Sequence, residues 1–183
     1  MVVRSVQQNV PGAYRVRSPI ISTVPATGPR GTGGGGVADC RSVPASESNP
    51  EITPELAARA LAGSFPGDLG VELVEMGNGR VRGRLEADRR HLHPGGYVHG
   101  GVWVAFADTV AAWGTMRHLA PGTDFTTVEL KANVFSAARD GDTLDAEGEL
   151  LHAGRRTHVW EVRIRKGDRL GANFVCTQLI IAP

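Results

Sequence analysis

The sequence predicts an α+β fold, one long buried helix wrapped by a mostly antiparallel sheet. Three observations carry this. From Val102 to Met116 the chain is apolar apart from one ionisable side chain, Asp108, and a helix apolar on every side belongs in a core. Four long strand patterns follow, over residues 125–136, 143–153, 157–166 and 169–181. In the third, Trp160, Val162 and Ile164 alternate with Glu161, Arg163 and Arg165. One face is therefore buried and the other wet, the mark of an antiparallel sheet.

The elements before the core helix are legible in order. Thr53 suits an N-cap, Pro54 the first helical position and Glu55 the first turn. That helix runs through Leu56 to Ala62 and stops at Gly63. Val71–Met76 and Arg80–Glu86 alternate on either side of Gly77-Asn78-Gly79, a hairpin with one basic face. After the core helix Pro121-Gly122 breaks the chain. Asp140-Gly141-Asp142, Ala153-Gly154-Arg155 and Gly167-Asp168 supply the later turns.

Residues 1–50 read differently. They carry Pro11, Pro19, Pro25, Pro29, Pro44 and Pro50, a glycine run from Gly31 to Gly36, and little hydrophobic periodicity. Such a segment cannot bury enough apolar surface to offset its ordering entropy. It reads as a disordered tail, with the folded domain at 51–183. The glycine run matches GxGxxG only formally, since no strand precedes it and no helix follows. Arg4, Arg15, Arg17 and Arg30, with no acid before Asp39, would suit an organellar targeting peptide; a linker-like extension is the simpler reading. No contiguous apolar run suggests a secretory signal.

Composition narrows the function classes. A chain of 183 residues suffices for one domain with a real core, and a net charge of +1 gives no electrostatic basis for binding nucleic acid. No apolar run reaches the roughly 18–20 residues that span a bilayer. Cys40 and Cys176 form neither a disulfide framework nor a CxxC motif, and Cys176 reads as a small core residue. A cytoplasmic location fits.

The chemistry gathers around the core helix. It is preceded by His91-Leu-His93-Pro-Gly-Gly-Tyr-Val-His99-Gly100-Gly101. An unpaired buried carboxylate costs roughly several kcal/mol, so Asp108 is either a reacting group or a core aspartate bonded to backbone. His91, His93, His99 and Asp108 could suggest zinc, which needs three or four convergent ligands. Pro94-Gly95-Gly96 turns the chain between them, and no metal is expected.

The run from His93 to Gly101, followed nine residues after His99 by Asp108-Thr109, resembles the signature of hotdog-fold acyl-CoA thioesterases. More narrowly it resembles the phenylacetate-degradation (PaaI-like) branch. Thr127-Val-Glu-Leu-Lys-Ala-Asn-Val-Phe-Ser136 resembles the strand after the helix in that family, and the resemblance covers residues 51–181. It implies a curved sheet and hydrolysis of acyl-CoA to free acid and CoA, with no cofactor, since coenzyme A belongs to the substrate.

Thioester hydrolysis needs an activated nucleophile and a donor for the developing oxyanion. Gly100 and Gly101 open the helix, where backbone N–H groups lack intrahelical acceptors and the helix dipole adds positive charge. The Gly100 amide is the expected oxyanion donor, the alternative being a plain tight turn. The resemblance makes Asp108 the nucleophile or the base that activates water. It gives His99 a role in positioning the loop and the carbonyl, and places Thr127 near the carboxylate. His93 is a departure: many relatives carry an amide side chain there, and a histidine changes its donors with protonation.

Gly100 and Asp108 stand eight residues apart, roughly 12 Å along a helix. One chain could not easily bring both to one carbonyl; two chains about a twofold axis could. The expected partners are therefore an acyl-CoA and a second copy of the chain, as a homodimer or a homotetramer built from dimers, without nucleic acid or membrane.

Several points stay open. Arg80, Arg82, Arg84, Arg155, Arg156, Arg163, Arg165 and Lys166 are candidates for the CoA phosphates or a solvated sheet face. Trp103, Phe106, Trp113 and Phe135 would suit an aromatic or short- to medium-chain acyl group, or simply fill the core. The alternative function is a hotdog module that binds acyl-CoA, or regulates through it, without cleaving it. A hydratase on the same fold fits this loop less well, and no GxSxG motif marks a serine hydrolase.

Overall fold

The computed structural model describes residues 52–181. The expectations for the tail, residues 1–50, lie outside the described residues, as does Cys40. Helix α1 (Pro54–Leu61) opens as anticipated, with the Thr53 side chain accepting from the Leu56 N–H at 3.3 Å. It ends one residue early, because Ala62 leaves helical geometry to serve as C-cap. A four-residue helix α2 (Phe65–Asp68) and a single 3-10 turn at Arg89–His91 were not legible in the sequence. Both are shorter than any helical period can reveal.

Strands β1 (Val71–Met76) and β2 (Arg80–Glu86) form the expected hairpin, turned at Gly79 with φ 76°. Helix α3 (Gly100–His118) is followed by β3 (Asp124–Val134), β4 (Thr143–Ala153), β5 (Thr157–Lys166) and β6 (Arg169–Ile181). All six strands join one curved antiparallel sheet in the order β1-β2-β4-β5-β6-β3. The strand after α3 thus crosses to the far edge, and β1 and β3 are the two edges. This is the hotdog arrangement.

Helix α3 packs on the sheet as its composition demands. Phe106, Ala107, Val110 and Ala111 are fully buried, and each large apolar side chain so buried contributes about 1.5–3 kcal/mol. Close approach is made possible by glycines, Gly83 and Gly114 among them. A Cβ on Gly83 of β2 would stand 2.8 Å from Val110 Cγ2, and one on Gly114 of α3 would stand 2.3 Å from the Trp160 ring. The Trp160 indole fills that notch and donates from Nε1 to Thr115 Oγ1 at 2.8 Å. Cys176 is free and fully buried on β6, as its strand pattern suggested. No helix among the described residues is long and apolar enough to cross a membrane.

Candidate active site

The loop before α3 is held by its own histidines. Asp88 caps the 3-10 turn, accepting from Arg90 N–H at 2.7 Å, while His91 Nδ1 accepts from Asp88 N–H at 2.8 Å. That acceptor role puts the ring proton on Nε2, which donates to Leu69 O at 2.8 Å. His91 is buried with both ring nitrogens committed, which removes it as a metal ligand. His93 Nδ1 accepts from Gly95 N–H at 2.9 Å inside the turn closed by Gly96 (φ 78°). Among the described residues no group of three or more His, Cys, Asp or Glu is placed to hold a metal ion.

His99 is extended (φ −64°, ψ 141°) and is the N-cap of α3. Its backbone N–H donates to His91 O at 2.8 Å, and its Nδ1 accepts from the Gly101 N–H at 2.9 Å. The exposed Gly100 N–H is left with no acceptor among the described residues. A Cβ built on Gly100 would meet nothing within 4 Å. The start of α3 therefore presents one free amide, in open space, at the positive end of a nineteen-residue helix.

Asp108 lies two turns further along, half-buried. Its Oδ1 accepts from Thr127 Oγ1 at 2.9 Å. Burial pushes its carboxyl above the usual range, and the Thr127 hydrogen bond opposes that rise. Thr127 in turn accepts from Gln178 Nε2 at 3.4 Å. The β3–β6 register shifts between Thr127 and Glu129, a bulge of the kind that re-aims a side chain.

The anticipated residues thus fall into two groups. His99, Gly100 and His93 belong to the loop and helix start; Asp108 and Thr127 belong to the middle of α3 and the edge strand. One chain does not bring the groups together. His93 lines an open cleft of about 370 Å³ with Tyr97, Trp103, Phe135 and Ser136. Trp103 and Phe135 of the candidate acyl set reach that cleft, whereas Phe106 and Trp113 are core. Half of the candidate basic residues are internally paired: Arg82 with Glu75 (3.4 Å), Arg84 with Asp145 (2.8 Å), Lys166 with Asp142 (3.0 Å), and Arg163 with Glu161. Sequence reasoning missed Gln178, whose signal was its place in the inward alternation Ala172, Phe174, Cys176, Gln178.

Comparison with known proteins agrees with this fold. The sequence profile of the thioesterase superfamily matches residues 95–172, from the end of the loop through α3, β3, β4 and β5 to the start of β6. The 1,4-dihydroxy-2-naphthoyl-CoA hydrolase of Listeria monocytogenes is 32% identical over 96 residues, covering 52% of this chain and 77% of the relative. A thioesterase of Haemophilus influenzae superposes with a TM-score of 0.69 at 26% identity, covering 73% of this chain and 93% of that one. The PaaI protein of Escherichia coli shares the fold with a TM-score of 0.62 at 21% identity, covering 69% and 91%. Motif, fold and relatives converge: the chain belongs to the thioesterase superfamily.

Proposed function

We propose that this chain hydrolyses acyl-CoA thioesters at sites shared between two copies. The observation that carries the reading is the separation on α3 of a free amide at Gly100 from a half-buried carboxylate at Asp108. They stand roughly 12 Å apart by helix rise, yet both must lie about 3 Å from the reacting groups. A twofold axis brings Gly100 of one protomer to Asp108 of its partner. The edge strand β3 supports such an axis. It is eleven residues long, and Val128 (55%), Leu130 (43%) and Val134 (48%) expose apolar side chains along it. A long, apolar, unpaired edge is a template for pairing with another chain.

In this reading the acyl carbonyl oxygen sits on the Gly100 N–H. Ionised Asp108 either attacks the carbonyl carbon or takes a proton from the water that does. Negative charge then moves onto the carbonyl oxygen, where the amide and the helix dipole stabilise it. Collapse breaks the C–S bond, and the CoA thiolate leaves and is protonated; where Asp108 itself attacked, water then cleaves the acyl–Asp108 anhydride, releasing the free acid and restoring the carboxylate. The Thr127 hydroxyl keeps Asp108 oriented and favours its charged form. His99 holds the helix start by capping Gly101, and His93 Nε2–H, its Nδ1 being occupied by Gly95, is a donor at the cleft.

The experiment is thiol release from a panel of aliphatic and aromatic acyl-CoAs by wild type, Asp108→Asn and Gly100→Pro. Proline is tolerated at the first helical position, and His99 already holds the backbone geometry that a following proline requires. Gly100→Pro therefore removes the amide proton and keeps the helix. Each variant should lose about 10²-fold or more in kcat. Mixing the two inactive chains should restore about a quarter of wild-type activity, because half the dimers are mixed and each carries one intact site. No recovery in demonstrably mixed dimers would place the site within one chain. Binding without turnover by folded wild type across the whole panel would mark a binding module.

A further inference from the structure

Gln178 is out of place in a core strand. Its inward neighbours on β6, Ala172, Phe174 and Cys176, are apolar, and Gln178 is itself 0% exposed. It pairs in register with Thr127 on β3 and with His158 on β5, so three polar residues form one row beneath α3. Its Nε2 donates to Thr127 Oγ1 at 3.4 Å, while its Oε1 is buried with no hydrogen-bond partner. A buried amide carbonyl without a partner is costly. Methionine would fill nearly the same volume without that cost. The fold alone has no use for an amide here.

We infer that Gln178 is a positioning residue for the reacting carboxylate, acting through Thr127. A threonine hydroxyl has one hydrogen and two lone pairs. Gln178 Nε2 occupies a lone pair, so the single Thr127 hydrogen stays on Asp108 Oδ1 at 2.9 Å. The reverse amide orientation would offer Oε1 to that hydrogen and take it from Asp108. Glutamine also remains neutral at every working pH, whereas a glutamate there would repel the carboxylate. The other titratable groups around Asp108 do not take over this task. The Cys176 thiol on β6 is pushed up to about 12 by burial and by the Asp108 charge, and so stays neutral. Glu129 on β3 is exposed and accepts from Thr177 at 3.4 Å. This inference rests on the reading of Asp108 as the reacting group.

The test is Gln178→Met, with Gln178→Leu as a second variant, in wild-type and Thr127→Val backgrounds. Thermal unfolding, kcat and KM against pH, and the Asp108 carboxyl titration by carbon NMR are all measured. Removing the orphaned carbonyl should leave Tm unchanged or raise it. At the same time kcat should fall about threefold to tenfold at unchanged KM, the size of one hydrogen bond. The Asp108 titration and the acid limb of kcat should both move to higher pH. In Thr127→Val, neither Gln178 variant should change them further. An unmoved Asp108 titration, or an equal shift with and without Thr127, overturns the proposal. If wild type cleaves no acyl-CoA, the thioesterase reading fails separately, and the carboxyl titration still decides the role of Gln178.

Discussion

The two halves of the sheet beneath α3 are built on different principles. Under one side, β2 and β4 offer Val81, Leu85, Leu144 and Ala146, all buried and apolar, with Gly83 and Gly148 letting Val110 approach the backbone. Under the other, β5, β6 and β3 place His158, Gln178 and Thr127 in a row, facing Asp108 and Thr115 of the same helix. The dry half holds the helix in place by area and fit. The polar half spends stability on groups that must be exactingly paired, and leaves Gln178 Oε1 and His118 Nε2 unpaired. Substitutions should therefore separate stability from activity according to which half they touch.

The largest effect is expected at His158. Thr115 Oγ1 accepts from Trp160 Nε1 and stands 3.3 Å from Nδ1 of the buried His158 imidazole. Burial, then the neighbouring His118 and His152, push its pKa down to about 4. The folded state thus binds this proton less readily than the unfolded chain. Stability is whole above the ordinary histidine range and is lost as pH falls toward 4, by roughly 2–4 kcal/mol in total. His158→Gln should flatten this part of a Tm-against-pH curve; an unchanged acid slope would show that His118 or a carboxylate carries it.

Gly83→Val comes next, on the dry side. The added Cβ meets Val110 Cγ2 at 2.8 Å and Phe106 at 3.2 Å, and overpacking of this kind costs about 1–3 kcal/mol. Urea unfolding should record the loss, while kcat per folded chain should stay near wild type. A loss of kcat without loss of stability would erase the distinction between the halves.

Asp108→Asn should do the opposite. The folded-state pKa of Asp108 is raised, so its ionisation above that value disfavours the folded state. The asparagine variant should therefore melt higher than wild type at neutral pH, with the gain fading as pH falls into the range where Asp108 is protonated. A lower Tm at neutral pH would mean that the Thr127 hydrogen bond outweighs burial. The smallest effect belongs to the outer face. Arg82 and Glu75 are both more than half exposed, and Arg82→Gln should change unfolding free energy by no more than about 0.5 kcal/mol.

The dry half was legible in the sequence, and the polar half only in pieces. Alternation on β2 gives Val81 and Leu85, and both are buried. The largely apolar run around Asp108 gives α3. These signals are local, and burial by area depends on local pattern. Pairing does not. His158 and Gln178 meet across the β5–β6 hairpin, but Thr127 joins them only because β3 crosses to the far edge beside β6, a register no local period encodes. The histidines show the same limit. His91, His93 and His99 are alike in the sequence, yet one bridges buried backbone, one closes a turn and one caps α3. Short elements such as α2 failed for a simpler reason: four residues containing Pro66 and Gly67 carry no helical period.

The notch at Gly114 ties several positions into one unit of inheritance. Any side chain at 114 collides with the Trp160 ring, so 114 can grow only if 160 shrinks. Shrinking 160 removes the indole N–H that holds Thr115. Thr115 is then free to turn, and its hydrogen-bonding contact with His158 loosens with it. Single-step drift at any of these sites meets a penalty that only a concerted change relieves. Sequences descending from this one should therefore vary at 114, 115, 158 and 160 as a block or scarcely at all.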